Sequence, residues 1–307
     1  MKSTRRDSIL SLLALTSWTA SAQPARPLRV VASFSILADW AKNIGGDAID
    51  ATALVGPDAD AHVFEPSPAD AKRLADADVV VVNGLGFEGW LDRLVRASGY
   101  RGPVVVASAG ITPRRLGRQA DPHVWQDLAL ARRCVLNVRD ALVRARPAQA
   151  AAFAQAADQY LGRIAALDAE VRTSFDAIPK EQRRVITSHD AFGYFGAAYG
   201  IQFLAPQGMS TDSEASAAGV ARLVEQIRRQ GVRAVFVENI TDPRLIDRIA
   251  REGGTTVGGR LYSDALSKPG TDADTYLKLF AHNATSIAAG LRVRKAAAHT
   301  AEQAFFA

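Results

Sequence analysis

Short apolar runs alternate with amphipathic stretches over the first third of the chain. The pattern predicts strands at Leu28 to Ser33, Ala51 to Val55, Val79 to Val82 and Val104 to Ala107, with helices at Ile36 to Ile44, Ser67 to Ala75 and Gly89 to Ala97 between them. Strands alternating with helices at this spacing make a parallel sheet with crossover helices. A helix follows from Asp127 to Arg146 and stops at Pro147. From Ala148 to Ile178 the chain is rich in Ala, Gln, Asp, Glu and Arg, with Gly162 the sole helix breaker and Pro179 as its end. A helix of some 31 residues spans roughly 46 Å, longer than a small lobe is wide. Phe153, Tyr160, Ile164, Leu167 and Val171 mark one packed face, so this segment is expected to bridge two domains as a rigid connector. The alternation then restarts, with strands at Arg184 to Ser188, Ile201 to Leu204, Val232 to Val237 and Thr255 to Gly258 and helices at Phe192 to Tyr199, Glu214 to Gln230, Pro243 to Glu252 and Thr275 to Arg292. The expected fold is α/β: two βα lobes with mainly parallel sheets, residues 23–147 and 180–307, joined by the connector helix 148–179.

Composition narrows the class without changing this picture. The 307 residues are 48% hydrophobic and 22% charged, with a mean hydropathy of -0.02, which excludes collagen, low-complexity disorder and a multi-span membrane protein. One cysteine, Cys134, excludes an internal disulfide and thiolate metal clusters. Residues 1–22 have a basic start (Lys2, Arg5, Arg6), an apolar stretch from Ile9 to Ala20 and the cleavage pattern Ala20-Ser21-Ala22, which together read as a signal peptide. Its apolar part, about 12 residues, is too short to span a bilayer. Removing those residues, with three cationic side chains and one aspartate, takes the net charge from +5 to +3, too small an excess to imply a nucleic-acid partner. No cysteine follows the cleavage site, so a periplasmic protein with no lipid anchor is expected, acting as a monomer.

The candidate chemistry lies with the histidines. His62, His123 and His189 each follow a predicted strand or sit in the loop after one, where open α/β sheets form their ligand sites. The segment Gly259 to Asp264 also follows a strand and ends in a carboxylate. Three imidazoles and one carboxylate make a closed four-coordinate shell for a borderline-soft divalent ion such as Zn²⁺. Their sequence spacing matches no local metal motif, and each taken alone also reads as an unrelated loop or core residue. His282, within the last helix, and His299, in an alanine-rich tail, read as packing or solvated residues. Gly84-Leu-Gly86-Phe-Glu-Gly89 has the G-x-G-x-x-G form of a dinucleotide site, but no acidic residue stands at the end of the next strand, so the glycines are read as a tight turn.

Asp-Ala-His-Val-Phe-Glu-Pro-Ser-Pro at 60–68, Asn-Gly-Leu-Gly-Phe-Glu-Gly-Trp at 83–90, Asp-Pro-His-Val-Trp at 121–125, Ser-His-Asp-Ala-Phe-Gly-Tyr-Phe at 188–195 and Tyr-Ser-Asp at 262–264 occur in that order. They resemble the zinc and manganese receptors of bacterial ABC importers, from about residue 28 to 292. The resemblance implies two βα lobes on a long helix, a metal ion held between them by His62, His123, His189 and Asp264, and delivery of that ion to an inner-membrane ABC permease. It also bears on the metal. Many zinc receptors of this kind have a histidine-rich or acidic loop before the second ligand, whereas residues 108–120 here hold Arg114, Arg115 and Arg118. Manganese receptors commonly have glutamate at the third ligand position, where this chain has His189. Nitrogen-rich ligation favours zinc, with manganese the alternative. The competing reading is a zinc metallohydrolase, with Asp190 or Glu65 as base. A catalytic ion keeps a position open for water, and the same two carboxylates are expected rather to orient imidazoles or cap helices, so the protein is read as no enzyme.

Overall fold

A computed structural model describes residues 26–292 other than 231 and 233. The expected signal peptide and His299 lie outside the described residues. The first lobe runs β1 (Leu28–Phe34), α1 (Ser35–Gly45), β2 (Ile49–Val55), α2 (Pro68–Ala75), β3 (Val79–Val82), α3 (Leu91–Ser98) and β4 (Val104–Val106), then a small hairpin, β5 (Arg115–Leu116) and β6 (Gln119–Ala120), and α4 (Leu128–Ala145). The long helix α5 (Ala150–Asp176) leads to β7 (Arg184–Ile186), α6 (Gly193–Tyr199), β8 (Gln202–Leu204), α7 (Ala217–Gln230), β9 (Ala234–Glu238), α8 (Pro243–Gly253), β10 (Val257–Leu261) and α9 (Tyr276–Arg292).

Each lobe has one four-stranded sheet, of order β2-β1-β3-β4 in the first and β10-β9-β7-β8 in the second, with every pairing parallel. Strand order reverses between β1 and β3 and again between β7 and β9. Such reversals open a crevice at the carboxyl ends of the strands, where βα loops diverge to opposite faces. The hairpin is a departure from the expected loop. Its strands pair antiparallel around Gly117, whose φ of 61° supplies the left-handed turn residue.

Local chemistry sets the helix ends. Ser67 accepts from the Asp70 N–H while Asp70 accepts from Ser67, a reciprocal capping box ahead of Pro68, and Asp127 accepts from the Ala129 N–H to start α4. The connector is shorter than its sequence suggests. Pro147 to Gln149 form a 3-10 turn rather than joining α5, and the far end stops at Asp176, because Pro179 disfavours helical backbone in the residue before it. The remaining 27 residues still extend about 40 Å. Helix α5 packs on α1 and α4 of the first lobe and on α6 and α9 of the second.

One hydrophobic core accordingly runs through both lobes, from Val30, Phe34 and Trp40 through Tyr160 and Ile164 to Phe195, Phe236 and Phe280. A second cluster, with Ile186, Val235, Leu223 and Ile249, fills the space between the other face of the second sheet and α7 and α8. Trp40 of α1 meets Tyr276 of α9 edge-on at 5.1 Å, so aromatic packing itself crosses from one lobe to the other. Among the described residues no helix is long and apolar enough to cross a membrane.

Candidate metal centre

The two crevices face each other, and four side chains meet where they do. His62 lies in the loop after β2, His123 between β6 and α4, His189 three residues beyond β7, and Asp264 three residues beyond β10. One ligand-capable atom from each lies within 4.8 Å of all the others. The imidazole centroids form a near-equilateral triangle with sides of 5.4, 5.5 and 5.7 Å. Asp264 faces it. Its Oδ2 is 3.2 Å from Nε2 of both His62 and His189, and its Oδ1 is 3.8 Å from Nε2 of His123.

These atoms have no other business in the fold. The three Nε2 atoms and both Asp264 oxygens are buried and make no hydrogen bond. Buried polar atoms in folded proteins are nearly always paired, so five orphans aimed at one point fit a bound cation, and nitrogen-rich donors fit a borderline-soft divalent one. Electrostatics agrees. Burial would raise the Asp264 carboxyl, but the neighbouring His189 and His123 imidazoles reverse this and hold it well below the usual carboxylate range. For His189, burial alone would favour the neutral ring, yet the Glu238 and Asp264 carboxylates push it well above the ordinary histidine value.

Two further carboxylates stand behind the imidazoles. Asp121 Oδ1 accepts from the main-chain N–H of His123 at 3.0 Å and lies 2.9 Å from its Nδ1. Glu238, the last residue of β9, accepts from the His189 main-chain N–H at 2.9 Å and sets its other oxygen 2.6 Å from Nδ1. A carboxylate behind Nδ1 fixes the tautomer with Nε2 free to ligate. The residues expected to do this do not. Asp190 donates its main-chain N–H to Gly208 O and Glu65 is exposed, while the carboxylates that lie beside imidazole Nδ1 atoms are those of Asp121 and Glu238.

The Asp264 segment is clamped from the first lobe. Trp125 Nε1 and Gln126 Nε2 both donate to Ser263 O at 2.8 Å, and Tyr276 Oη returns a 2.6 Å bond to Trp125 O. Beneath the site Phe34, Phe87 and Trp125 pack at 4.9 to 5.0 Å, and Phe87 meets His62 edge-on at 4.7 Å. The glycine-rich stretch builds this bed. Gly84, Leu85 and Gly86 all have φ near +60° to +85°, and a Cβ on Gly84 would sit 2.5 Å from Val106, so only glycine fits there. The turn is closed by Glu88, whose carboxylate accepts from Ser33 Oγ and the main-chain N–H groups of Asn83 and Gly84. His282 is apart from the site, its Nε2 against Arg260 O at 3.0 Å.

The model of the family described as zinc-uptake complex component A, periplasmic (ZnuA), matches residues 30–290. The manganese-binding lipoprotein MntA of Bacillus subtilis (strain 168) is 36% identical over 275 residues, covering 86% of this chain and 90% of the relative. The zinc-binding protein TroA of Treponema pallidum (strain Nichols) is 33% identical, covering 92% of this chain and 96% of the relative. The solved structure of the periplasmic zinc-binding protein TroA from Treponema pallidum superposes with a TM-score of 0.83 at 32% identity, over 87% of this chain and 99% of that one. A manganese-bound periplasmic metal-binding protein from Candidatus Liberibacter asiaticus gives a TM-score of 0.78 at 27% identity, over 86% of this chain and 99% of that one. The names of these two relatives thus divide between manganese and zinc, and the Bacillus relative is named a lipoprotein, which leaves the expected absence of a lipid anchor unsupported.

Proposed function

This chain belongs to the ZnuA family of periplasmic metal-binding receptors, and on that premise we propose that it captures zinc for an ABC importer. The ion is held by His62, His123, His189 and Asp264, between a first lobe of residues 23–147 and a second of residues 180–307 on the connector 148–179, and is presented to the permease. The observation that carries this reading is the set of five buried, unpaired donor atoms facing one another. Three imidazoles with one carboxylate suit zinc better than manganese, a harder ion better served by more oxygen donors. The fourth donor occupies the position that a catalytic zinc keeps for water, which supports capture and transfer over hydrolysis.

The test is metal content by plasma mass spectrometry after mild purification from the periplasm, followed by competition between the two ions. One zinc per chain, with zinc displacing manganese, is expected. Manganese retained against zinc, or no bound metal, overturns the zinc assignment. We propose also that residues 1–22 are removed on export and that the protein is released. An intact mass starting at Gln23 without a lipid increment supports this, and a lipid increment contradicts it.

A further inference from the structure

His62 is held unlike the other two imidazoles. His123 and His189 have fully buried rings with carboxylates beside Nδ1, whereas the His62 ring, itself only 4% exposed, has no carboxylate beside its Nδ1 among the described residues. What holds His62 is its main chain, whose N–H donates to Asp60 Oδ1 at 2.9 Å. The other oxygen of Asp60 accepts from the Thr211 hydroxyl at 2.5 Å, across 151 residues of sequence, from the loop between β8 and α7 in the opposite lobe. Asp58, with φ of 54°, secures the base of the same loop: its N–H donates to Leu266 O at 2.9 Å and its Oδ1 accepts from Asn239 Nδ2 at 3.0 Å.

The way in from solvent passes the same place. A cleft of about 360 Å³ reaches His62, walled by Gly86 and Phe87 on one side, Gln119 of the hairpin, and Met209 and Asp212 on the other. Thr211 therefore belongs to the segment that flanks the cleft leading to His62.

We propose that Asp60 is a positioning residue through which the grip on the ion depends on a loop contact made across the two lobes. While Thr211 donates to it, the carboxylate is fixed, and with it the main chain and ring of His62. When the 206–216 loop lifts, that bond is lost, His62 is free to swing away, and the ion leaves along the cleft with the more firmly held His123 and His189 the last to let go. The inference rests on the proposed zinc site, and it makes Asp60 and Thr211 determinants of how long the ion stays.

The experiment is stopped-flow release of zinc from the full mature chain into excess chelator, together with melting of the metal-free and zinc-loaded protein. Thr211→Val keeps the side-chain shape and removes the donor. It is expected to speed release about 10-fold, the scale of one hydrogen bond to a charged group, with association within about twofold and the metal-free melting temperature unchanged. Thr211→Ser, which restores the hydroxyl, is expected to return release to the wild-type rate. Release from Thr211→Val at the wild-type rate overturns the proposal, as does equal loss of stability in metal-free and loaded protein with no change in release, the mark of a merely structural bond. His62→Ala separates the two claims. If it binds zinc as well as wild type, the site itself is misassigned; if it loses zinc while Thr211→Val releases normally, the site stands and the latch fails.

Discussion

Glu238 Oε2 lies 2.6 Å from Nδ1 of His189, while its Oε1 accepts the main-chain N–H of the same residue. One carboxylate thus holds the main chain of this residue, 49 positions away in sequence, and sets a negative charge beside its ring Nδ1, where the Nδ1–H tautomer is favoured. Glu238→Gln retains the shape but allows the amide to donate to Nδ1, which would move the ring proton to Nε2 and block ligation. Zinc affinity is expected to fall 10- to 100-fold, the usual cost of losing such a partner, in chelator-competition titrations. An unchanged affinity would show that the carboxylate does not set the tautomer.

The four proposed ligands come from both lobes, so loss of either side should be comparably damaging. His62→Ala, His123→Ala, His189→Ala and Asp264→Ala should each weaken zinc binding at least 10-fold, measured by the same titration. His282→Ala, whose ring lies against the Arg260 carbonyl and Tyr262, apart from the four ligands, should leave affinity unaltered.

Acidity should oppose the ion, with a sign fixed by His189. In the metal-free protein Glu238 and Asp264 outweigh burial and hold this imidazole above the ordinary histidine value. Its protonated form therefore stabilises the metal-free fold below about pH 6.5, and that contribution fades as pH rises through the raised folded value. Zinc must displace the proton. The gap in melting temperature between loaded and metal-free protein is thus expected to widen steadily from pH 5.5 to 8, by scanning calorimetry at fixed zinc. A gap that is constant or narrows over that range contradicts the assignment of His189 as a ligand.

The connector invites a test of its own. Gly162 is exposed in the middle of α5, and a Cβ there meets nothing within 4 Å, so Gly162→Ala should stabilise the protein by about 0.5–1 kcal/mol in denaturant melts. Because α5 packs on helices of both lobes and one core runs through them, wide hinge bending would have to break buried contacts. Small-angle scattering with and without zinc should give the same envelope, with hydrogen-exchange changes confined to residues 58–66, 206–216 and 259–264. A change of several ångström in radius of gyration would refute the rigid connector.

Much of this arrangement was legible in the hydrophobic pattern, because crossover βα units bury whole strands and one face of each helix. Strand Val79–Val82 coincides with the four-valine run, and α4 begins after Asp127 because that side chain caps it. The four nominated side chains do meet: His62, His189 and Asp264 follow strands of the parallel sheets, which deliver their loops to one side, while His123 follows the hairpin β5–β6. The supporting groups were harder to see. Glu238 is a lone carboxylate at the end of an apolar strand, and nothing in its neighbourhood points to a histidine 49 residues away. Asp60-Ala-His62 and Asp121-Pro-His123 did carry a readable clue, as an aspartate two residues before another residue commonly accepts its main-chain N–H. Thr211 had no such local pattern. Its role depends on how the lobes face each other, which periodicity does not encode.

The central claim is that one zinc ion is bound between the lobes by His62, His123, His189 and Asp264. It is tested most directly by crystallising the mature protein from equal concentrations of zinc and manganese and recording anomalous scattering on either side of the zinc edge. The account predicts a single zinc peak with Nε2 of the three histidines and an oxygen of Asp264 at about 2.0–2.2 Å. A peak at any other group of side chains, or one at this position that lacks the zinc edge, would contradict it.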